Sequence, residues 1–287
     1  MVSQLDGIIG FLKTLRFQMS RCKPDEIIIA WDGKNGSKKR RSIVEDYKKG
    51  RKPAKLNRNY DFELIEPEKN KLYQRIKLDQ YLSNLPVRQI IIDEIEADDI
   101  IGYLCGFLKE RKIIVSADKD FYQLINNETI IFSPTKKYFV TTKKCFEEYK
   151  IYPKNFALAK AIVGDKSDNI SGIRGIGFKN LLKYFSFFSE QEKIELEQIF
   201  EYSKNQSEKY NKFLENRDII IRNLNAMQLD SPVISSQSIM KIKRALEEKL
   251  IFNSTDFRMK LIEDGISNID DNFFLPFKIL KLKGEQS

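Results

Sequence analysis

Four segments of the 287-residue chain carry carboxylates, most of them where an apolar run ends. Asp32 follows Ile27–Trp31; Glu94, Glu96, Asp98 and Asp99 follow the run 87–92; Asp118 and Asp120 follow Ile113–Val115; Asp165 and Asp168 follow Val163. Carboxylates drawn from distant strand ends to one place repel one another unless cations hold them. All-oxygen ligand sets favour Mg²⁺ or Mn²⁺ over zinc or copper. Two such ions in one acidic site are suited to phosphodiester hydrolysis. The chain has no histidine, which excludes imidazole acid–base catalysis and His-ligated zinc and leaves proton chemistry to ion-activated water.

The elements that must position these acids are legible in the hydrophobic periodicity. Leu5, Ile8, Ile9, Leu12, Leu15 and Met19 recur at helical spacing and predict an amphipathic helix over 5–21. Strands are expected at 27–31, 87–92, 112–116 and 129–133, with 138–142 pairing as a hairpin or edge. Helices are expected at 38–49, 61–84, 96–110 and 119–125. Alternation of this kind implies an α/β fold with a mostly parallel central sheet flanked by helices, with its site at the carboxyl ends of the strands. Beyond residue 143 the pattern turns helical, near 143–149, 153–164, 178–185, 190–202, 206–224 and 236–249. The apolar run Phe273–Phe277 is expected to pack back on the body. The reading divides the chain into 1–142, an α/β core including a basic arm at 34–84; 143–185, a glycine-bearing helical region; and 186–287, a helical region of no assigned role.

The net charge of +9 is concentrated. Residues 34–58 hold eleven Lys/Arg against Glu45 and Asp46, an excess of nine that accounts for the whole of it. Such a patch points to a polyanionic partner, although a solvated lysine-rich loop has the same composition. Cys22, Cys105 and Cys145 are too scattered to form a metal pair and read as free thiols, in keeping with a reducing interior. No apolar run approaches the length of a membrane span, so a soluble protein with no membrane partner is expected.

At these residues the chain resembles the 5′-nuclease superfamily, in its bacterial and phage flap endonuclease/5′→3′ exonuclease branch. The matching motifs are Ala30-Trp31-Asp32-Gly33, Tyr47-Lys48-x-x-Arg51, Glu96-Ala97-Asp98-Asp99, Asp118-Lys119-Asp120 and Val163-Gly164-Asp165-Lys166-Ser167-Asp168-Asn169-Ile170, followed by Gly172-Ile173-x-Gly175-Ile176-Gly177-x-Lys179. The resemblance covers about residues 5 to 185. It implies a PIN-like core and a Mg²⁺- or Mn²⁺-dependent nuclease with two ions. Asp32, Glu96 and Asp98 would hold one ion and Asp99, Asp118 and Asp120 the other, with Asp165 and Asp168 acting mainly through water. It implies a helical arch over the site, with Lys48 and Arg51 on the scissile phosphate, Arg40 and Arg41 on the backbone, and Tyr47 either stacked on a base or packed inward. The glycines Gly172, Gly175 and Gly177, with Lys179, match a helix–hairpin–helix loop that grips duplex phosphates, where relatives often hold K⁺. The implied substrate is DNA with a 5′ flap or 5′ end, or an RNA–DNA hybrid, processed in replication or repair. The setting is a bacterial or phage-infected cytoplasm; a monomer is expected, with a single-strand-binding protein as a possible partner. A protein of the same fold that binds DNA structures without cutting them is the other reading.

Read singly, several motifs have plainer explanations. Glu96–Asp98–Asp99 is also an acidic first helical turn, Asp118–Asp120 a strand-to-helix cap, the glycines an ordinary turn, and Glu94 a bystander. Family members also begin with a strand carrying an Asp, upstream of the helix matched by 5–21. Asp6 lies inside that helix and is not that ligand. The expectation is a sheet short of one strand, a cluster short of one carboxylate, and an unsheltered edge or apolar surface.

Overall fold

The computed structural model describes residues 5–49, 67–266 and 269–284. Arg51, with the rest of the arm between 50 and 66, lies outside the described residues.

Helix α1 (Asp6–Cys22) buries Ile8, Leu12, Leu15 and Met19 on one face and exposes Lys13. It stops at Lys23, whose left-handed φ of 47° precedes Pro24. Strand β1 (Ile28–Trp31) follows, then α2 (Lys38–Ile43), α3 (Pro67–Leu82) and β2 (Arg88–Ile91), which pairs with β1. The helix expected over 38–49 ends early because Val44 is extended and Lys48 takes a left-handed φ of 56°. The break leaves Val44 and Tyr47 buried with Ile170, Ala226 and Met227, so packing overrides helical propensity there.

Helix α4 (Ala97–Phe107) leads into β3 (Lys112–Val115), a 3₁₀ turn at Lys119–Leu124, β4 (Thr129–Ser133) and β5 (Tyr138–Val140). β3 and β4 run parallel with Ile114 opposite Ile131; β4 and β5 run antiparallel with Phe132 opposite Phe139. The strands lie where the apolar runs place them, but among the described residues they form separate ladders of two and three strands, smaller than one continuous sheet. Thr141 caps α5 (Thr142–Tyr149), and α6 (Phe156–Val163) follows, buried on almost every side. A small antiparallel hairpin, β6 (Gly164–Asp165) and β7 (Ile170–Ser171), was not expected from the sequence. The remaining helices are α7 (Phe178–Tyr184), α8 (Leu196–Lys204), α9 (Asn211–Glu215), α10 (Arg217–Met227), α11 (Ser236–Glu247), α12 (Ser254–Glu263) and α13 (Leu275–Gly284).

The chain forms two compact units that are not consecutive in sequence. One comprises residues 1–29, 53–90 and 240–287; the other comprises 30–52 and 91–239. Divisions at 142/143 and 185/186 therefore do not coincide with the compact units. In the first unit the rings of Phe257, Phe273, Phe274 and Phe277 pack against one another, one pair stacked and the others edge-to-face or tilted, so the apolar tail is packed inward as expected. In the second, the core runs from Ile114 and Ile131 through α6 to Phe185, Phe213 and Ile220. Every described residue of the acidic motifs belongs to this second unit.

Candidate active site

Gly33 fixes where Asp32 lies. Its amide donates to the Ile95 carbonyl (3.0 Å), and the Glu94 amide donates to the Lys34 carbonyl (2.7 Å). A Cβ at position 33 would sit 1.8 Å from the Ile92 carbonyl oxygen, so only glycine lets these two stretches of backbone press together. Asp32 thereby meets the start of α4, where its Oδ1 accepts from the Ala97 amide at 2.9 Å. Glu94 faces outward and pairs with Lys38 on the surface (2.6 Å).

The base of the basic arm is built into the acidic centre. Arg40 is 6% exposed. Its guanidinium donates to both oxygens of Asp99 at 2.8 Å each, to Glu96, and to the Ala226 carbonyl at 2.9 Å. A planar fork of donors suits this bidentate contact. Tyr47 is buried, and its hydroxyl donates to Glu96 Oε2 at 3.2 Å. The expectation for Arg40 is corrected: its guanidinium faces carboxylates and not a DNA backbone, while Tyr47 takes the packed-inward alternative. Both oxygens of Asp99 accept from Arg40, so in this structure Asp99 is committed to an internal cation. Lys48 lies half-buried, its Nζ donating to Glu96 Oε1 at 2.9 Å and its amide to the Asp168 carbonyl at 2.9 Å. Arg41 is exposed.

On the other side of the centre, Asp118 caps the 3₁₀ turn by accepting from the Asp120 amide at 2.9 Å. Lys160 belongs to none of the sequence motifs. It is the one charged residue of α6, 7% exposed, and its ammonium donates to Asp120 and to Asp165 Oδ2 at 2.5 Å. Asp165 Oδ1 also accepts from the Ser167 amide (2.7 Å) and hydroxyl (2.6 Å). A lone lysine within the apolar run Phe156–Val163 was the available signal, since a buried ammonium must be paired.

The charges show how close these groups are. Burial pushes the Asp98 carboxyl up to about 6, with Lys48 and Arg40 opposing and Glu96 and Asp118 adding to the rise. Asp98 has no hydrogen-bond or ion-pair partner among the described residues. Burial also works against charge on Glu96, but Arg40, Lys48 and Tyr47 outweigh it and hold Glu96 below its ordinary value. Burial is likewise outweighed at Asp165, where Lys160 and Ser167 hold the carboxyl at about 2. The oxygens least committed to internal cations belong to Asp32, Asp98 and Asp118. Among the described residues no three acidic side chains are set to chelate one ion, because Arg40, Lys48 and Lys160 lie between them.

The glycine stretch divides in two. A Cβ at Gly172 would meet the Val163 carbonyl carbon and oxygen at 2.2 Å, so Gly172 packs under the β6–β7 hairpin and is not free to approach a phosphate. Gly175, with φ of 79°, and Gly177 face open space, and Lys179 beside them is exposed. Among the described residues no helix is long and apolar enough to cross a membrane, and all three cysteines are free.

Residues 3–150 match the family of 5′-3′ exonuclease N-terminal, resolvase-like domains. A 5′-3′ exonuclease of Buchnera aphidicola subsp. Schizaphis graminum is 37% identical over 190 residues, 63% of this chain and 60% of that protein. A DNA polymerase I of Caldicellulosiruptor bescii is 31% identical over 198 residues, 66% of this chain and 22% of the polymerase. The chain thus aligns with less than two thirds of the length of either. A bacteriophage T5 flap endonuclease, solved as a pseudo-enzyme–product complex with DNA and metal ions, shares the fold with a TM-score of 0.60 at 21% identity, covering 90% of each chain. The chain belongs to the family of 5′-3′ exonuclease N-terminal, resolvase-like domains.

Proposed function

We propose that this chain is a structure-specific 5′-nuclease that hydrolyses phosphodiesters at DNA 5′ flaps or 5′ ends, or in RNA primers, during replication or repair. The observation that carries this reading is the gathering of Asp32, Glu96, Asp98, Asp118, Asp120, Asp165 and Asp168 in one unit around the base of a cationic arm. The exonuclease relative and the DNA- and metal-bound phage structure support it.

The donor chemistry suits an oxygen-preferring divalent ion: it is all carboxylate, and Asp98 is a half-buried acid with no ion-pair partner among the described residues, although the acids would have to draw closer to share one ion. Asp32, Asp98 and Asp118 are the first candidates to hold Mg²⁺ or Mn²⁺, with Glu96, Asp120, Asp165 and Asp168 around them. Two such ions, when bound, would activate water and offset charge on the leaving oxygen. The chain's own residues supply position. Arg40 fixes the arm base to α4, Lys48 presents a cation at the edge of the acids for a phosphate oxygen, and Lys160 keeps Asp120 and Asp165 together. Arg41, Gly175, Gly177 and Lys179, all exposed, are left to contact phosphates without reading sequence.

A second reading, a DNA-structure-binding protein that does not cut, is favoured by one observation: internal cations already neutralise much of the acidic centre. Incubation of the purified chain with a labelled 5′-flap duplex and Mg²⁺ or Mn²⁺ separates the two. Cleavage that chelator and Asp118→Ala both abolish supports the nuclease. Tight, ion-independent binding with no product in either metal supports the binder and rejects the nuclease.

A further inference from the structure

Two turns meet beside the acidic centre, and each holds the other by one hydrogen bond. The first, residues 46–49 at the base of the arm, is closed by the Lys49 amide on the Asp46 carbonyl (3.0 Å) and contains Lys48 with its φ of 56°. The second, residues 166–169, joins β6 to β7 and ends at Asn169, whose φ is 60°. The Lys48 amide donates to the Asp168 carbonyl (2.9 Å), and the Asn169 side-chain amide donates to the Asp46 carbonyl (3.0 Å). Beneath them Tyr47 packs with Ile170, Ala226 and Met227.

A left-handed backbone is uncommon for lysine. Lys48 is kept in it by its contacts, the amide on Asp168 and the ammonium on Glu96 Oε1. Asn169 meets two needs at once. Asparagine adopts the left-handed conformation readily, and its side chain carries the N–H group that spans to the other turn. Glycine would meet only the first need, and so would aspartate, which when ionised has no hydrogen to donate. The Asn169 bond lies at the surface, where a single hydrogen bond adds little to stability, so what it fixes is position.

We propose that Asn169 is a positioning residue for Lys48: by tying the Asp46 carbonyl to the hairpin that carries Asp165 and Asp168, it holds the arm cation in register with the acids. Asn169 acts through the turn and not on a reacting group. This role rests on the reading of the chain as a nuclease, but one of its two tests does not require cleavage.

Asn169→Gly keeps the left-handed backbone and removes the donor. On a labelled 5′-flap duplex with Mg²⁺, kcat is expected to fall about tenfold while KM changes by less than about twofold, since a misplacement of about 1 Å can cost about 100-fold. In a Lys48→Ala background the same substitution is expected to add less than about twofold, because the residue through which it acts is gone. Hydrogen exchange is followed by NMR on the same proteins without DNA. The Lys48 amide is expected to exchange at least about fivefold faster in Asn169→Gly, with the amides of α4 and α6 unchanged. Asn169→Asp, which keeps the side-chain shape, is expected to give the same faster exchange, so that glycine flexibility is not its cause. Unchanged exchange at Lys48 in the two folded variants overturns the role even where the wild type cuts flaps. Full additivity of Asn169→Gly and Lys48→Ala in kcat overturns it too, since Asn169 would then act without Lys48. Faster exchange confined to the two turns upholds the tie between them even where the wild type does not cut.

Discussion

Arg40 is the side chain on which the arrangement of the acidic centre most depends. Replacing it with alanine leaves Glu96 and Asp99, both under 10% exposed, without their guanidinium, and leaves the Ala226 carbonyl without its donor. Removing one partner of a buried ion pair costs about 3–5 kcal/mol, because the remaining charge stays desolvated and uncompensated. Against a typical total stability of about 5–15 kcal/mol, that is a large fraction. With a urea dependence of about 2–3 kcal/mol per molar, the unfolding midpoint is expected to fall by about 1–2 M. Arg40→Lys keeps the charge but cannot span both Asp99 oxygens, and a loss near half that of alanine is expected. A double-mutant cycle with Asp99→Asn gives the sharper reading: residues joined by two parallel hydrogen bonds are expected to couple by about 2 kcal/mol. If Arg40→Ala moved stability by less than about 1 kcal/mol, or if the two substitutions were simply additive, Arg40 would be a surface residue of the arm and the inward geometry would be wrong.

Two further outcomes follow from other parts of the molecule. Gly33→Ala drives a Cβ to 1.8 Å from the Ile92 carbonyl oxygen and is expected to cost at least about 1–3 kcal/mol, whereas Gly106→Ala, exposed in α4 with nothing within 4 Å, is expected to gain up to about 1 kcal/mol; thermal or urea unfolding of both variants checks the contrast. In the first unit, burial opposes charge on Asp264, but Lys77 (2.7 Å) and the Tyr81 hydroxyl hold its carboxyl below its ordinary value. The folded chain therefore binds fewer protons there than the unfolded chain, so this contribution is complete above about pH 4 and is lost as pH falls through the folded value. Asp264→Asn is expected to cost about 1–3 kcal/mol at pH 7 and progressively less toward pH 2.5; an equal cost at both pH values in urea unfolding refutes the assignment.

What could be read from the sequence divides by how locally it is encoded. β1, β2, β3 and β4 fall on their apolar runs because three to five consecutive apolar residues are a strong local signal. The β6–β7 hairpin has two residues in each strand and depends on Gly164 and Gly172 fitting against each other, a contact with no periodicity. The long helix expected over 206–224 breaks into a 3₁₀ turn, α9 and α10, since Tyr210 and Phe213 must both reach the aromatic core around Phe185. Of the acidic residues, position could be read but partnership could not. A carboxylate that ends a strand is visible in one dimension, whereas the cation that meets it can arrive from far along the chain, as Lys160 does at Asp120, 40 residues away.

That difference changes how the basic arm is understood. By composition it is one block of positive charge. By geometry its first third is not homogeneous. Arg40, Val44 and Tyr47 stand at intervals of four and three residues and all point inward, while Lys38, Arg41 and Lys49 point out. The inward set is fastened to Glu96, Asp99 and the Val44–Met227 cluster, so the acids and the arm base share one electrostatic balance. Lys48 stands at the boundary, half-buried and bound to Glu96 by a single contact. A phosphate that drew Lys48 away would remove one of the cations that keep Glu96 ionised against its own burial. Loss of that single contact would free an oxygen of Glu96, whereas Arg40 would stay held by Asp99 and the Ala226 carbonyl.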